Sequence, residues 1–235
     1  MKQKNLQIEH IPALLWGEPS NRLIVAVHGN MSHKSDTVIA ILAEYAVTKG
    51  YQILSFDLPE HGDRKGEHTL CKAQTCVEEL RTVMEFAKTQ AQEISLFGCS
   101  IGAYFSLLAY QDELLTQAVF LSPVVDMERL IGNMMTWFSV SEQRLQAEQT
   151  VETPIGQTLY WDYYQYVKAH PITQWTAPTN ILYGSADNLC ECDVIEHFTE
   201  RFGCKLTVLA EGEHFFHTPE QLDFYKAWLE DTLSP

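Results

Sequence analysis

The stretch SLFGCSIGAYF, residues 95–105, raises the first question about this chain. Within it, Gly98 and Gly102 lie two positions before and two positions after Ser100, which gives the pattern G-x-S-x-G. Between a strand and a helix, such a turn lifts the serine hydroxyl clear of the sheet, and the glycines let the two elements pass closely. The stretch therefore predicts either a nucleophile on a strained turn or an ordinary strand-to-helix connection, because short Gly/Ser patterns also arise by chance.

Outward from this turn, short apolar runs alternate with longer amphipathic segments. We predict strands at residues 22–29, 51–59, 93–98, 117–125, 179–187 and 204–214, and one or two antiparallel edge strands within 6–16. Helices are predicted at residues 35–50, 75–90, 101–111, 193–203 and 218–233. Regular alternation implies right-handed crossovers, so the predicted fold is α/β, a doubly wound, mainly parallel sheet with helices on both faces.

The segment 126–178 interrupts this alternation, because it is longer than the other crossovers. We predict a small helical cap insertion here, with helices over 126–150 and 157–169, inside a single domain of residues 1–235. The segment is rich in aromatic residues, of which most are expected to pack against the sheet and a few to line an apolar pocket: Trp137, Phe138, Tyr160, Trp161, Tyr163, Tyr164, Tyr166 and Trp175.

Composition excludes several classes of function. The chain has 235 residues, with 16 Lys and Arg against 31 Asp and Glu, and a formal charge of −15. Such a chain is repelled by nucleic acid and by anionic membrane surfaces. No apolar stretch approaches the roughly 18 residues that a membrane span needs, and the N-terminus does not resemble a signal peptide. We therefore expect a cytoplasmic monomer or homodimer that acts on a small molecule.

The six cysteines, at positions 71, 76, 99, 190, 192 and 204, are expected to be reduced thiols. No C-x-x-C pair is present, and the CEC sequence at 190–192 has a poor spacing for metal ligands. The sequence therefore predicts neither a metal site nor a cofactor.

Candidate chemistry lies where the predicted strands end, since ligands of a doubly wound sheet bind beyond the carboxyl ends of its strands. A serine nucleophile needs a base and an acid that orients the base. Asp187 and His214 each follow a late strand, and the order Ser100, Asp187, His214 is the one expected for this type of turn. We predict these three residues as a catalytic triad.

Other residues compete for two of these roles. His217 is an alternative base, but it lies beside Thr218, the expected N-cap of the last helix. Glu211 and Glu213 are alternative acids, but they neighbour His214 on its own strand or loop and are poorly placed to orient it.

An oxyanion hole requires N–H donors. We predict the backbone N–H groups of Ile101 and Asn30, with Met31 as the second choice after Asn30. Further residues are placed near the pocket but outside the triad: His28, Gly29, Asp57 and His61. Cys99 is expected to point away from the base as a buried, protonated and inert thiol.

Five segments together resemble the α/β-hydrolase fold: VAVHGN (25–30), FDLPEHG (56–62), LFGCSIGA (96–103), LYGSAD (182–187) and GEHFF (212–216). The resemblance covers the chain from about residue 22 to residue 233. Glu60 departs from the pattern, because this family usually has glycine at that position. The loop after VAVHG also lacks the HGGG sequence, which makes bulky tertiary-alcohol esters less suitable substrates.

The resemblance implies a serine hydrolase that cleaves a carboxylic ester or thioester through an acyl-enzyme. A small-ester carboxylesterase is the first hypothesis, followed by an acyl thioesterase or an acyltransferase on the same triad, and a peptidase is less expected. The fold alone does not decide among these reactions. The alternative from another class is a non-catalytic binding protein, for which a broken triad or a missing turn glycine would be expected.

Overall fold

The computed structural model describes residues 1–233 of the chain. Its strands are β1 Gln3–Ile8, β2 Ile11–Trp16, β3 Arg22–Val27, β4 Gln52–Phe56, β5 Glu93–Cys99, β6 Ala118–Leu121, β7 Thr150–Glu152, β8 Thr158–Tyr160, β9 Thr179–Gly184 and β10 Lys205–Leu209. Eight of them form one sheet in the order β1-β2-β4-β3-β5-β6-β9-β10. Strand β2 runs antiparallel to both of its neighbours, and the other neighbouring pairs are parallel. The predicted α/β fold class with a mainly parallel sheet is thus confirmed.

The helices cover both faces of this sheet. They are α1 Thr37–Thr48, α2 Ala73–Gln90, α3 Ile101–Ala109, α4 Met127–Trp137, α5 Glu142–Glu148, α6 Trp161–Ala169, α7 Cys192–Phe202 and α8 Pro219–Thr232. Apolar residues of α1 and α8 form a core on one face, and those of α2 to α7 form a larger core on the other. None of the helices within residues 1–233 has the length and apolarity needed to cross a lipid bilayer.

Strand β3 shows why its sequence is apolar throughout. Leu23, Val25 and Val27 contribute to the larger core, whereas Ile24 and Ala26 contribute to the core beneath α1 and α8. Successive side chains of a strand point to opposite faces, so a strand covered on both faces must be apolar at every position.

Five predicted strands end two to five residues earlier in the structure than in the sequence analysis, and the difference is largest for β6 and β10. Strand β6 ends at Leu121 rather than at residue 125, because Ser122 adopts a left-handed φ of 42° and Pro123 has no N–H to continue a ladder. Strand β10 ends at Leu209 rather than at residue 214, and a turn with left-handed Glu211 follows. Both endings leave short loops at the edge where the chemistry was predicted.

The segment between β6 and β9 contains more than the two predicted helices. The predicted helix over 126–150 is interrupted, because Ser139 has a left-handed φ of 56° and Ser141 caps a new helix by accepting the N–H of Arg144. Strands β7 and β8 then form an antiparallel hairpin that the sequence analysis missed. Each of these strands has three residues, which is too short for a period-two pattern to be recognised.

Helix α3 packs very close to β5 and to the end of β3 because two glycines leave room for it. A Cβ atom added to Gly98 would lie 2.8 Å from the Cα atom of Ala103, and one added to Gly102 would lie 2.4 Å from the carbonyl oxygen of His28. Both positions exclude a side chain while the helix stays in place. The turn that carries Ser100 therefore depends on both glycines.

We expect Gly102→Ala to lower the free energy of unfolding by about 1–3 kcal/mol, because α3 must move away from backbone atoms that cannot yield. Gly132→Ala is the matched control, since a Cβ atom at this position of α4 meets nothing within 4 Å. There, the better helix propensity of alanine should raise the free energy of unfolding by about 0.5–1 kcal/mol. Urea unfolding measures both, and equal effects of the two substitutions would contradict the packing argument.

Candidate active site

Ser100 lies on a strained turn directly after β5. Its backbone has φ 52° and ψ −121°, a conformation that residues with a Cβ atom rarely adopt. The turn is held from both sides, because the N–H of Ser100 donates to the carbonyl oxygen of Leu121 at 3.1 Å and the N–H of Val124 donates to the carbonyl oxygen of Ser100 at 3.1 Å. The stretch quoted above is therefore not an ordinary strand-to-helix connection, and the serine side chain projects at the carboxyl edge of the sheet.

The structure brings the three residues of the predicted triad into one hydrogen-bonded chain. The Oγ of Ser100 lies 2.8 Å from Nε2 of His214, and Nδ1 of His214 lies 2.6 Å from Oδ2 of Asp187. The second oxygen of Asp187 accepts the N–H groups of Leu189 and Cys190. Because both carboxylate oxygens accept hydrogen bonds, Nδ1 of His214 carries the proton, and Nε2 is left as the acceptor for the Ser100 hydroxyl.

The loops after β9 and β10 meet through two glycines, and this contact sets the distance between Asp187 and His214. A Cβ atom added to Gly184 would lie 2.3 Å from the carbonyl oxygen of Gly212. The N–H of Ala186 donates to that same oxygen at 2.8 Å. The Asp187 side chain is fully buried, and 12% of the His214 side chain is exposed.

The competing residues lie outside this chain of contacts. His217 precedes α8, where the side chain of Thr218 caps the helix as expected. The ring of His217 hydrogen-bonds the carbonyl oxygen of Phe215 at 2.8 Å and lies 3.6 Å from Glu213. Glu211 forms the turn after β10, and its N–H donates to the Ser185 hydroxyl.

Two free N–H groups flank Ser100. Ile101 begins α3, and Asn30 follows Gly29, whose added Cβ atom would lie 3.2 Å from the Cβ of Ser100. Within residues 1–233, neither the N–H of Ile101 nor that of Asn30 donates to a backbone or side-chain acceptor. The N–H of Met31, in contrast, donates to Nε2 of His61 at 3.0 Å and is already engaged.

The loop that carries Asn30 is held by two histidines. Nε2 of His28 accepts the N–H of Leu58 at 3.0 Å, while its Nδ1–H donates to the carbonyl oxygen of Gly29 at 2.7 Å. Burial lowers the pKa of His28 to about 4, so its ring is neutral at pH 7. Nδ1 of His61 hydrogen-bonds the carbonyl oxygen of Pro59 at 2.7 Å, and its Nε2 accepts the Met31 N–H described above.

Asp57 connects the same loops as an ion. It is fully buried and accepts the backbone N–H of Lys34 at 2.8 Å, the Lys34 ammonium at 2.5 Å and the N–H of Asp63 at 3.0 Å. Burial alone would raise the pKa of Asp57, but the hydrogen bonds and charge of Lys34 outweigh it and hold that pKa below its usual value. Asp57 thus lies near the candidate site but is fully occupied in bracing it.

Cys99 contacts the core beneath α1 and α8, on the opposite side of the sheet from α3. Burial raises the pKa of its thiol to about 12. Although Cys99 is adjacent to Ser100, its sulfur is therefore a protonated packing group at neutral pH.

Asp187, Cys190 and His214 are the one trio among the described residues whose ligand atoms lie close enough for a metal, within 4.8 Å of one another. The trio does not fit a metal site well. The Asp187 oxygens already accept three hydrogen bonds, and burial raises the pKa of the Cys190 thiol well above its usual value, whereas a metal ligand must be a thiolate.

Some residues around the site were missed by the sequence analysis. Lys34, which neutralises Asp57, belongs to no recognisable motif. Gln157, in the turn of the β7–β8 hairpin, accepts a hydrogen bond from the side chain of Asn30 at 3.1 Å.

A cavity of about 360 Å³ between α4, α6 and α7 is lined by Tyr104, Val125 and Phe198 among others. None of the aromatic residues predicted to line a pocket contributes to this cavity, and neither do Ser100 and His214.

Residues 18–169 match the model of a protein family described as serine aminopeptidase, S33. No curated protein is significantly similar to the sequence. Among solved structures, Est1E from Butyrivibrio proteoclasticus with bound ferulic acid superposes with a TM-score of 0.80, at 18% identity over 97% of each chain. Alpha/beta hydrolase domain-containing protein 10 from mouse has a TM-score of 0.79, at 14% identity over 99% of this chain and 98% of that chain. An esterase from Pyrococcus furiosus has a TM-score of 0.69, at 16% identity over 98% of this chain and 88% of that chain.

At such low identities the structural likeness establishes the fold alone, and it confirms the resemblance to α/β hydrolases. The family model adds more than the fold, since it spans well over half of the sequence and includes the turn at Ser100. The chain belongs to the serine aminopeptidase S33 family of α/β hydrolases.

Proposed function

We propose that this protein is a serine esterase that hydrolyses a small carboxylic ester or thioester through an acyl-enzyme. The observation that carries the proposal is the hydrogen-bonded chain from Ser100 through His214 to Asp187, with Ser100 on a left-handed turn at the start of α3. A serine hydroxyl is a weak nucleophile by itself, and a neutral imidazole at 2.8 Å is the base that activates it.

In the proposed reaction, Nε2 of His214 takes the Ser100 proton while Oγ attacks the acyl carbonyl carbon. The negative oxygen that develops is held by the N–H groups of Ile101 and Asn30, each contributing about 3 kcal/mol in the transition state. His214 then returns its proton to the leaving alcohol or thiol, which departs and leaves the acyl group on Ser100. Water, deprotonated by His214, attacks the acyl-enzyme and releases the acid. Asp187 stabilises the imidazolium in both steps without becoming protonated.

We further propose that residues 126–178 act as a cap over this site, within one domain of residues 1–235. Two contacts support this role. The turn of the β7–β8 hairpin contacts the loop after β3 that carries Asn30, here called the oxyanion loop, through the hydrogen bond from Asn30 to Gln157. Lys72 at the start of α2 forms an ion pair with Asp162 of α6 at 2.8 Å. The domain boundaries remain a prediction.

The surroundings of the site favour an apolar ester over a peptide. Met31, next to the donor Asn30, is 91% exposed, and Phe215, next to His214, is 63% exposed. Apolar side chains on both sides of the reacting groups suit apolar acyl and alcohol groups. The esterase names of the similar structures point the same way, and the ferulic acid bound by Est1E contains an aromatic acyl group. The aminopeptidase name of the family makes peptides the competing substrates to be tested.

We expect p-nitrophenyl esters to be hydrolysed with a kcat/KM at least about tenfold above that of aminoacyl p-nitroanilides, because Met31 and Phe215 offer apolar contacts beside the reacting groups. A series of p-nitrophenyl esters of increasing acyl length, beside the matching acyl-CoA thioesters, measures acyl length and leaving group together. Preferential cleavage of the anilides would replace the esterase proposal with a peptidase. Faster turnover of the thioesters would identify a thioesterase with the same triad.

Ser100→Ala should lower kcat for the best ester by roughly 10⁴-fold or more, because no nucleophile remains. It should also abolish labelling by a fluorophosphonate probe. Cys99→Ala is the matched control at the adjacent position, and it should retain most of the turnover and all of the labelling, since the Cys99 thiol is buried and protonated. Labelling that survives Ser100→Ala would overturn the assignment of the nucleophile, and wild-type protein that is never labelled would favour a binding protein.

His214→Ala and His217→Ala separate the two candidate bases. The first should lower kcat by roughly 10⁴-fold, because the base that activates Ser100 is lost. The second should leave kcat nearly unchanged, because the His217 ring contacts Phe215 and Glu213 instead of the serine. Circular dichroism of both variants is the control for folding, and both should give the wild-type spectrum. A large loss of turnover in His217→Ala alone would reverse the assignment.

A further inference from the structure

Two cysteines outside the candidate triad lie next to each other at the start of α2. The Sγ atoms of Cys71 and Cys76 are 3.7 Å apart. Cys71 is half-buried and follows the exposed residues 65–69, whereas Cys76 is fully buried in the first turns of the helix. We propose that Cys71 and Cys76 form a modification site at which a hydroperoxide generates a reversible intramolecular disulfide.

The two thiols are suited to different halves of this reaction. The hydrogen bond with Cys76 is the largest of the causes that lower the pKa of Cys71 to about 6, and the imidazole of His61 adds to it against the effect of burial. Cys71 also lies next to Lys72, the N-cap of α2, so it is close to the helix end at which the dipole favours a thiolate. Burial raises the pKa of Cys76, which keeps this partner a thiol. Cys71 is therefore the attacking sulfur and Cys76 the resolving one.

The chemistry needs a hydroperoxide as the oxidant. The Cys71 thiolate attacks one peroxide oxygen, the O–O bond breaks, and the other oxygen leaves as hydroxide or alkoxide and takes up a proton. Cys71 is then a sulfenic acid. The sulfur of Cys76 attacks the sulfur of Cys71, the S–O bond breaks, and water leaves with the proton of the Cys76 thiol. Each peroxide is reduced by two electrons, and the two thiols become one disulfide.

The other four cysteines lack this combination of properties. Burial raises the pKa of Cys99 to about 12 and that of Cys204 to about 11, and it also raises the pKa of Cys190. Cys192 is an exposed residue, but the partial burial of its thiol and the nearby Glu196 carboxylate both raise the pKa of that thiol. Cys192 is consequently a matched control, since it is accessible but not activated.

This thiol pair is connected to the oxyanion loop. The backbone N–H of Cys71 donates to the Glu60 carboxylate at 2.7 Å, and Glu60 directly precedes His61. His61 in turn accepts the N–H of Met31, directly after the proposed donor Asn30. Because a disulfide bond is about 2 Å long, its formation draws the Cys71 sulfur toward Cys76 and shifts the backbone segment whose N–H holds Glu60. Oxidation is therefore expected to loosen the oxyanion loop, an effect on turnover that rests on the proposed function.

The chain offers a direct test, because Lys72 separates the two cysteines. After treatment with hydrogen peroxide, trypsin under non-reducing conditions should yield peptides 66–72 and 73–81 linked by a disulfide, and dithiothreitol should separate them. Cys192→Ala should give the same linked peptides. Cys71→Ala and Cys76→Ala should not give them, although both variants should hydrolyse esters like the wild type before peroxide is added.

The oxidised wild type should show a kcat about tenfold lower, a fraction of the loss that follows removal of a whole oxyanion donor, and dithiothreitol should restore it. Peptides that stay unlinked while esters are hydrolysed would overturn the modification site and leave the proposed function standing. Linked peptides in a protein that hydrolyses no ester would support the modification site and refute the esterase. Linked peptides with unchanged turnover would refute the connection to the oxyanion loop.

Discussion

The left-handed backbone of Ser100 is the constraint on which the rest of the site depends. A non-glycine residue in such a conformation costs about 1–3 kcal/mol, so the surrounding structure must hold it there. Here the holding is done by backbone hydrogen bonds to Leu121 and from Val124, and by the close approach of α3 that Gly98 and Gly102 allow. The same approach sets the start of α3 beside the serine, so that the N–H of Ile101, the proposed oxyanion donor, lies next to Ser100. The proposed nucleophile and the proposed oxyanion donor are thus positioned by one packing arrangement.

The loop that carries Asn30, the second proposed oxyanion donor, is held in place by contacts from neighbouring segments. Asp57 binds it through the backbone and ammonium of Lys34, and a Cβ atom at Gly62 would lie 2.2 Å from the Asp57 carboxylate. The guanidinium of Arg64, fully buried, donates to the carbonyl oxygen of Asp57 and pairs with Glu79 of α2. Buried ion pairs contribute little net stability but are costly to break. The buried charged residues Asp57, Lys34 and Arg64 are accordingly explained by positioning.

The sequence predicted the fold class and the arrangement of Ser100, Asp187 and His214 because both follow from local patterns. Apolar periodicity identifies strands, and strand ends place polar residues at one edge of the sheet. The sequence did not predict contacts between distant segments, such as Lys34 with Asp57 and Glu60 with Cys71. These depend on which loops meet and leave no spacing to recognise. The β7–β8 hairpin was missed for a different reason, since its strands are too short to carry a pattern.

Glu60 shows how a departure from the family pattern acquires a physical explanation. The residue has a left-handed φ of 64°, a conformation that glycine adopts freely and that costs a residue with a Cβ atom about 1 kcal/mol. In this chain the carboxylate of Glu60 accepts the N–H of Cys71, a charge-assisted hydrogen bond of comparable magnitude that offsets the strain. A glycine would relieve the strain but provide no such contact. The departure therefore leaves the proposed triad untouched and makes the conformation of the loop at Glu60 depend on the segment that ends at Cys71.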